Sequence, residues 1–148
     1  MKKKVLFVCN HNSARSQMAE ALLNRICPEE FAAESAGLTP GTLNPFAVEA
    51  LKEIGIDITG KPTRDAFEVY KTGTLFAHVI TVCDDAQKEH CPVFPGVSHK
   101  LHMSFPDPSS FVGTDEEKLA FTRNVRDMIE TRLKEWCNEV CAQPVVIA

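Results

Sequence analysis

A chain of 148 residues has room for one domain around one hydrophobic core and not for two of ordinary size. A hydrophobic share of 44% and a charged share of 24% exclude a disordered or fibrous chain and fit a globular one. The net charge of −4 offers no electrostatic attraction to nucleic acid or to an acidic membrane, and no apolar run reaches the length of a membrane helix.

In chain order, strand and helix patterns alternate. Lys2-Lys3-Lys4 leads into the apolar run Val5-Leu6-Phe7-Val8, which is too short for a signal peptide. Residues 4–9 read as a continuous apolar strand, as at the centre of a parallel sheet. Over 16–27, Met18, Leu22 and Ile26 share one helical stripe with Ala19 and Leu23 beside it, and Pro28 ends the helix. Phe31 to Ser35 reads as a second strand that turns at Ala36-Gly37, and Pro40-Gly41 marks a loop. Asn44 caps a second helix with Pro45 at its first position. Phe46, Ala50 or Leu51, and Ile54 form its apolar face, and Gly55 stops it. Residues 56–65 read as loop, Ala66 to Lys71 as a short helix, His78 to Cys83 as a third buried strand and Val97 to Met103 as a fourth. Ser104 to Gly113, with Pro106 and Pro108, is loop. Asp115 to about Cys141 is the longest helix; Leu119, Val125 or Met128, Ile129, Leu133 and Trp136 supply its core face. The tail Gln143 to Ala148 is expected to fray or to pack as an addition.

This alternation predicts one α/β domain over 1–148: an open, parallel, four-stranded sheet with helices on both faces and an anion-binding loop after the first strand. Ligands of such sheets bind at the carboxyl ends of the strands. Cys9 and Cys83 both end predicted strands, so they can face one crevice.

The loop is Cys9-Asn10-His11-Asn12-Ser13-Ala14-Arg15, followed by Ser16. Five residues between a thiol and an arginine can curl into a cup of backbone N–H groups at a helix mouth, and such a cup binds tetrahedral oxyanions. Arg15 closes it with a planar fork suited to two oxygens. The same field favours the thiolate, the nucleophilic form of Cys9. Ser16 can cap the helix and hydrogen-bond the sulfur. The loop has no glycine, so any left-handed position is expected to fall to Asn12. The plain alternative is a buried cysteine at a strand end beside a surface arginine.

Cys83 and Cys91 are eight residues apart. On a helix they would lie roughly 12 Å apart, whereas a disulfide needs Cα atoms within about 7 Å. A bond between them requires the segment to loop out, and so short a helix unwinds cheaply. The alternative is one buried cysteine on the sheet and one ordinary loop cysteine. Asp107, stiffened between Pro106 and Pro108, is either a turn aspartate or a general acid held over the cup.

Val5 through Ala21, with Ser16-Gln17-Met18-Ala19-Glu20 after the arginine, closely resembles the start of the thioredoxin-coupled arsenate reductases, which share the fold of the low-molecular-weight protein tyrosine phosphatases. The likeness continues through Ser35-Ala36-Gly37, Gly55-Ile56-Asp57-Ile58, Val79-Ile80-Thr81-Val82-Cys83-Asp84, Cys91-Pro92 and Phe105-Pro106-Asp107-Pro108. The resemblance implies that Asn10, His11, Asn12, Ser13, Ala14, Arg15 and Ser16 hold arsenate, with phosphate or sulfate as competing oxyanions. It implies that Cys9 attacks the arsenic and that Asp107 assists departure of an oxygen as water. Cys83 then attacks the Cys9 adduct, Cys91 attacks Cys83, and thioredoxin reduces the resulting disulfide. Some members hold a potassium ion, and Asn12, Glu20 and Ser35 match positions of that site. The chain is expected to be a cytoplasmic monomer with no tightly bound cofactor. Two other readings stay open: hydrolysis of phosphomonoesters by Cys9, Arg15 and Asp107, and a non-catalytic oxyanion-binding or metal-binding module.

Six cysteines without a signal peptide suggest free or catalytic thiols rather than a disulfide framework. Cys27 reads as packing at a helix end, and Cys137 and Cys141 share a face of the last helix. His90, His99 and His102 follow no familiar zinc spacing. His11 is expected to touch the substrate or shape the rim, and Phe94 and Phe105 to be core or rim.

Overall fold

The parallel sheet grows outward from the apolar run after the lysines. The computed structural model describes residues 2–82 and 99–141. Within them the elements are β1 (Lys3–Cys9), α1 (Arg15–Ile26), β2 (Phe31–Gly37), α2 (Pro45–Lys52), α3 (Ala66–Lys71), β3 (His78–Thr81), β4 (His99–His102) and α4 (Asp115–Cys141), with a 3-10 turn at Pro108–Ser110. The strands are all parallel, in the order β2-β1-β3-β4. β1 is therefore interior, and its last five residues are all buried, as an unbroken apolar run requires.

Strand alternation divides the core in two. Val5, Phe7 and Cys9 face Met18, Leu22 and Leu23 of α1, Ala47 and Leu51 of α2, and Val125, Ile129, Leu133 and Trp136 of α4. Leu6 and Val8 face the other way, onto Ala66 and Val69 of α3 and onto Phe76. Helices thus cover both faces, three on one and one on the other. Each fully buried large side chain contributes roughly 1.5–3 kcal/mol, and Phe7, Met18, Leu22, Leu51, Ile129 and Leu133 are of that kind.

The structure departs from the sequence reading at several strand ends and on one helix face. β2 runs on to Gly37, which pairs with Cys9, instead of turning at Ala36. Glycine is read as a turn residue from sequence, yet here it is needed for closeness. A Cβ on Gly37 would lie 2.7 Å from both Asn12 N and His11 C. β3 ends at Thr81 and β4 at His102, so Val82 and Met103 fall outside the strands expected to hold them, and Cys83, Val97 and Ser98 lie outside the described residues. In α4, Leu119 is only half-buried and Met128 is exposed, while Thr122 and Cys137 join the buried face.

The Asn44 cap forms as expected: its Oδ1 accepts the Phe46 N–H at 2.8 Å, with Pro45 next. Asp65 caps α3 in the same way. Gly55 takes φ +84° after α2, where a side chain would be strained. Among the described residues, no helix is long and apolar enough to cross a membrane.

Candidate active site

The loop between β1 and α1 forms its cup because its carbonyls are drawn outward. The connection from β2 to α2 supplies the donors: Leu38, Thr39, Gly41 and Asn44 give N–H bonds to the carbonyls of Cys9, Asn10, His11 and Ser13, at 3.0, 2.7, 2.9 and 2.8 Å. A trans peptide holds its N–H opposite its C=O. The amides of Asn10, His11, Asn12 and Ala14 therefore turn to the concave side. The Asn12 N–H shows this directly, donating to Cys9 Sγ at 3.2 Å.

Asn12 has φ 54°, the left-handed position expected of it. Its side chain is held from three directions. The Oδ1 accepts from Arg64 N–H at 2.9 Å and from Gln17 Nε2 at 3.1 Å, and the Nδ2 donates to Ser16 Oγ at 2.7 Å. Gln17 is fixed in turn by its bond to the Pro62 carbonyl at 3.1 Å. Ser16 Oγ lies 2.9 Å from Cys9 Sγ. Since that oxygen already accepts from Asn12, its own proton is free for the sulfur. Cys9, itself buried, thus has an amide and a hydroxyl directed at its sulfur. The expected helix cap at Ser16 does not form: α1 begins at Arg15, its N-cap is Ala14 with no side-chain bond, and Ser16 serves the sulfur instead.

Arg15 is almost fully buried. Its Nη1 donates to the Phe105 carbonyl at 3.2 Å, and its Nη2 lies 3.6 Å from Asp107 Oδ2. Asp107 Oδ1 accepts the Ser109 N–H at 2.9 Å, which fixes the carboxylate at the start of the 3-10 turn. Ser109 Oγ accepts from Asn44 Nδ2 at 2.9 Å and lies 3.4 Å from Ser13 Oγ. The Pro106–Pro108 loop is thereby tied to the cup, and Cys9, Arg15 and Asp107 meet in one crevice. Phe105 is buried core. His11 donates from Nδ1 to the Thr39 carbonyl at 2.8 Å, which holds it at the exposed rim.

The residues singled out for a potassium ion are otherwise engaged. Glu20 Oε1 accepts from Ser35 Oγ at 2.9 Å, and its Oε2 is in contact with the Lys61 ammonium. Burial, with the Arg64 guanidinium nearby, pushes Lys61 down to about 8, which leaves it mostly charged at neutral pH beside the Glu20 carboxylate. The Asn12 carbonyl oxygen is shared by Gln17 and Arg64. With the carboxylate already neutralised, these side chains do not fit a further cation.

Cys83, Cys91, His90 and Phe94 lie outside the described residues. The last residue described before them, Val82, donates its N–H to the Val8 carbonyl at 2.8 Å. Of the remaining histidines, His99 stacks on His78 at 5.1 Å and His102 Nδ1 lies 2.6 Å from Thr81 Oγ1. Sequence reasoning did not assign Gly37, Gln17, Asn44, Lys61 or Ser109 to the site. Gln17 and Gly37 carried a signal only as members of the family motifs and Asn44 as a helix cap, whose second amide bond depends on where the 3-10 turn comes to rest.

Residues 4–145 match the model of the low molecular weight phosphotyrosine protein phosphatase family. The chain is 42% identical over 136 residues to an arsenate reductase of Bacillus subtilis, covering 90% of this chain and 94% of that one. It resembles the crystal structure of an arsenate reductase from Archaeoglobus fulgidus with a TM-score of 0.70 at 33% identity, over 89% of this chain and 97% of that one. It resembles a thioredoxin-dependent arsenate reductase of Corynebacterium glutamicum with a TM-score of 0.68 at 25% identity, over 97% of this chain and 63% of that one.

Proposed function

The chain belongs to the low molecular weight phosphotyrosine protein phosphatase family and to its arsenate reductases, and from that footing we propose that it reduces arsenate through Cys9, Cys83 and Cys91, with thioredoxin as the final reductant. The observation that carries the chemistry is the inward-facing cup, with the Cys9 sulfur bonded by Asn12 N–H and Ser16 and with Arg15 at its edge. Phosphate and arsenate share a tetrahedral shape, so the cup alone does not choose between hydrolysis and reduction. The two later thiols and the 42% identity favour reduction.

Arsenate enters with its oxygens toward the loop amides and the Arg15 fork. The Cys9 thiolate attacks arsenic, a hydroxyl takes a proton from Asp107 and leaves as water, and a sulfur–arsenic(V) bond forms. The Cys83 thiolate then attacks the Cys9 sulfur. A disulfide forms, the electron pair of the sulfur–arsenic bond passes to arsenic, and arsenite departs as arsenic(III). Cys91 attacks Cys83 and frees Cys9 as a thiolate. A dithiol of thioredoxin type reduces the Cys83–Cys91 disulfide and is itself oxidised. A cytoplasmic location suits such a relay, because the compartment supplies the reductant. Each step uses residues of one chain, so a monomer suffices.

The test is to reduce the protein fully, remove the reductant, add arsenate or phosphate, alkylate free thiols and map the peptides. A Cys83–Cys91 disulfide formed with arsenate and not with phosphate is the expected result. Free Cys83 and Cys91 beside an active Cys9 would move phosphomonoester hydrolysis to first place. A Cys83→Ser variant separates the two reactions: it loses arsenate turnover and keeps any phosphatase activity.

A further inference from the structure

Gln17, the third residue of α1, is fully buried, and its side-chain amide is unevenly served. Nε2 donates to Asn12 Oδ1 and to the Pro62 carbonyl, both at 3.1 Å, while Oε1 is buried with no hydrogen-bond partner. The opposite amide orientation would set Oε1 against two acceptors, so the donor pair is what the place requires. A buried carbonyl oxygen without a donor carries a desolvation cost. A methionine has the same reach without that cost, and Met18, next along the helix, is fully buried. Packing therefore does not account for a glutamine at this position.

The donor pair has a use in the cup. Gln17 Nε2 donates to Asn12 Oδ1, Asn12 Nδ2 donates to Ser16 Oγ at 2.7 Å, and Ser16 Oγ lies 2.9 Å from Cys9 Sγ with its proton free for the sulfur. Every donor in this row runs toward Cys9, and hydrogen bonds that run one way polarise one another. The Arg64 N–H also reaches Asn12 Oδ1, at 2.9 Å. One donor on that oxygen lets the amide plane turn, whereas two fix it and with it the direction of Nδ2. Both donors are anchored in one segment. The Arg64 carbonyl accepts the Gly37 N–H at 2.8 Å, Thr63 Oγ1 donates to the Gly41 carbonyl at 2.7 Å, and Pro62 holds Gln17.

We propose that Gln17 is a positioning residue for Cys9: its amide bridges the 62–64 segment to Asn12, fixes the Asn12 side chain and so aims the Ser16 hydroxyl at the sulfur, with its own oxygen left unpaired. Gln17 acts through Asn12 and Ser16 and leaves the oxyanion to the loop amides and Arg15. Its effect on turnover rests on the reading of Cys9 as the nucleophile toward arsenate, whereas the alignment of the sulfur can be measured without arsenate.

The test measures how fast iodoacetamide alkylates Cys9 at fixed pH, read on its own peptide by mass, and the phosphate concentration that halves that rate. Gln17→Met removes the donors and the unpaired oxygen together. The Cys9 rate and kcat/KM for arsenate should fall about tenfold, while the phosphate concentration for half-protection stays within about threefold of wild type. The melting temperature should stay within about 2 °C, because the lost bonds and the removed orphan oxygen offset. In a Ser16→Ala background the same change should alter the Cys9 rate less than about twofold, since the link to the sulfur is already cut. Gln17→Glu, equal in shape with an acceptor in place of the donor, should also slow Cys9 and decides the matter if the methionine variant does not fold. A Cys9 rate within twofold of wild type overturns the proposal. So does an equal loss with and without Ser16, which would make Gln17 a general brace. If the wild type does not turn over arsenate but Gln17→Met slows Cys9, the positioning role stands and the reading of the reaction falls. If arsenate is turned over and Gln17→Met leaves the Cys9 rate unmoved, the positioning role falls alone.

Discussion

Arg15 and Asp107 face each other across the crevice, Nη2 to Oδ2, at 3.6 Å. That separation is longer than a hydrogen bond, so the guanidinium is oriented by the carboxylate without being consumed by it. Its Nη1 is held by the Phe105 carbonyl, one residue before Pro106. The loop that brings the acid therefore also aims the arginine. An oxyanion entering the cup meets a fork and a proton carrier set by one segment.

Asp107→Asn keeps the bond from the Ser109 N–H and loses the proton. The turnover number for arsenate should fall by about 10²–10⁴ with little change in KM. Steady-state kinetics with thioredoxin in excess checks this. A turnover number within threefold of wild type would remove Asp107 from the reaction.

Gly37→Ala puts a methyl group 2.7 Å from Asn12 N and His11 C, both backbone atoms that cannot swing aside. The cup must open or β2 must shift. We expect a stability loss of about 1–3 kcal/mol and a rise in the KM for arsenate of tenfold or more. Urea unfolding and kinetics on the same sample measure the two effects. Wild-type KM would show that the loop tolerates the strain.

Lys61→Gln leaves the Glu20 carboxylate with Ser35 alone. Stripping a buried carboxylate of its cation costs about 1–3 kcal/mol. The variant should regain stability in potassium chloride and not in choline chloride at equal ionic strength, whereas the wild type should respond equally to both. Melting temperatures in the two salts decide it. A wild type that potassium alone stabilises would mean that Lys61 does not supply the cation.

His78 lies between Phe31, Trp136 and His99, with ring centroids 5.9, 5.0 and 5.1 Å away. Burial lowers its pKa, and His99 and Lys3 add to the effect. A histidine whose folded pKa is depressed binds fewer protons when folded than when unfolded, so its contribution is intact above the unfolded value of about 6.5 and falls as pH drops below it. Melting temperature should decline between pH 7 and 5.5, and His78→Phe should flatten the slope. An unchanged slope would assign the acid sensitivity to other groups.

What the sequence by itself determined is local. The apolar run before Cys9 and the helical stripe after Arg15 set strand, loop and helix, because side-chain period and burial are properties of adjacent residues. The left-handed Asn12 follows from a glycine-free loop, and the Asn44 and Asp65 caps from a side chain two residues from its amide. Only the tertiary structure decided the partners. The strand order β2-β1-β3-β4 carries Gly37 against the loop and brings Asp107 to Arg15. The same fold turns Ser16 from the expected cap into a donor to the sulfur and sets Lys61 on Glu20. Hydrophobic period specifies which face of an element is buried but not which polar side chain meets it from a distant segment. That is settled when the packed layers leave each buried donor a limited choice of acceptors.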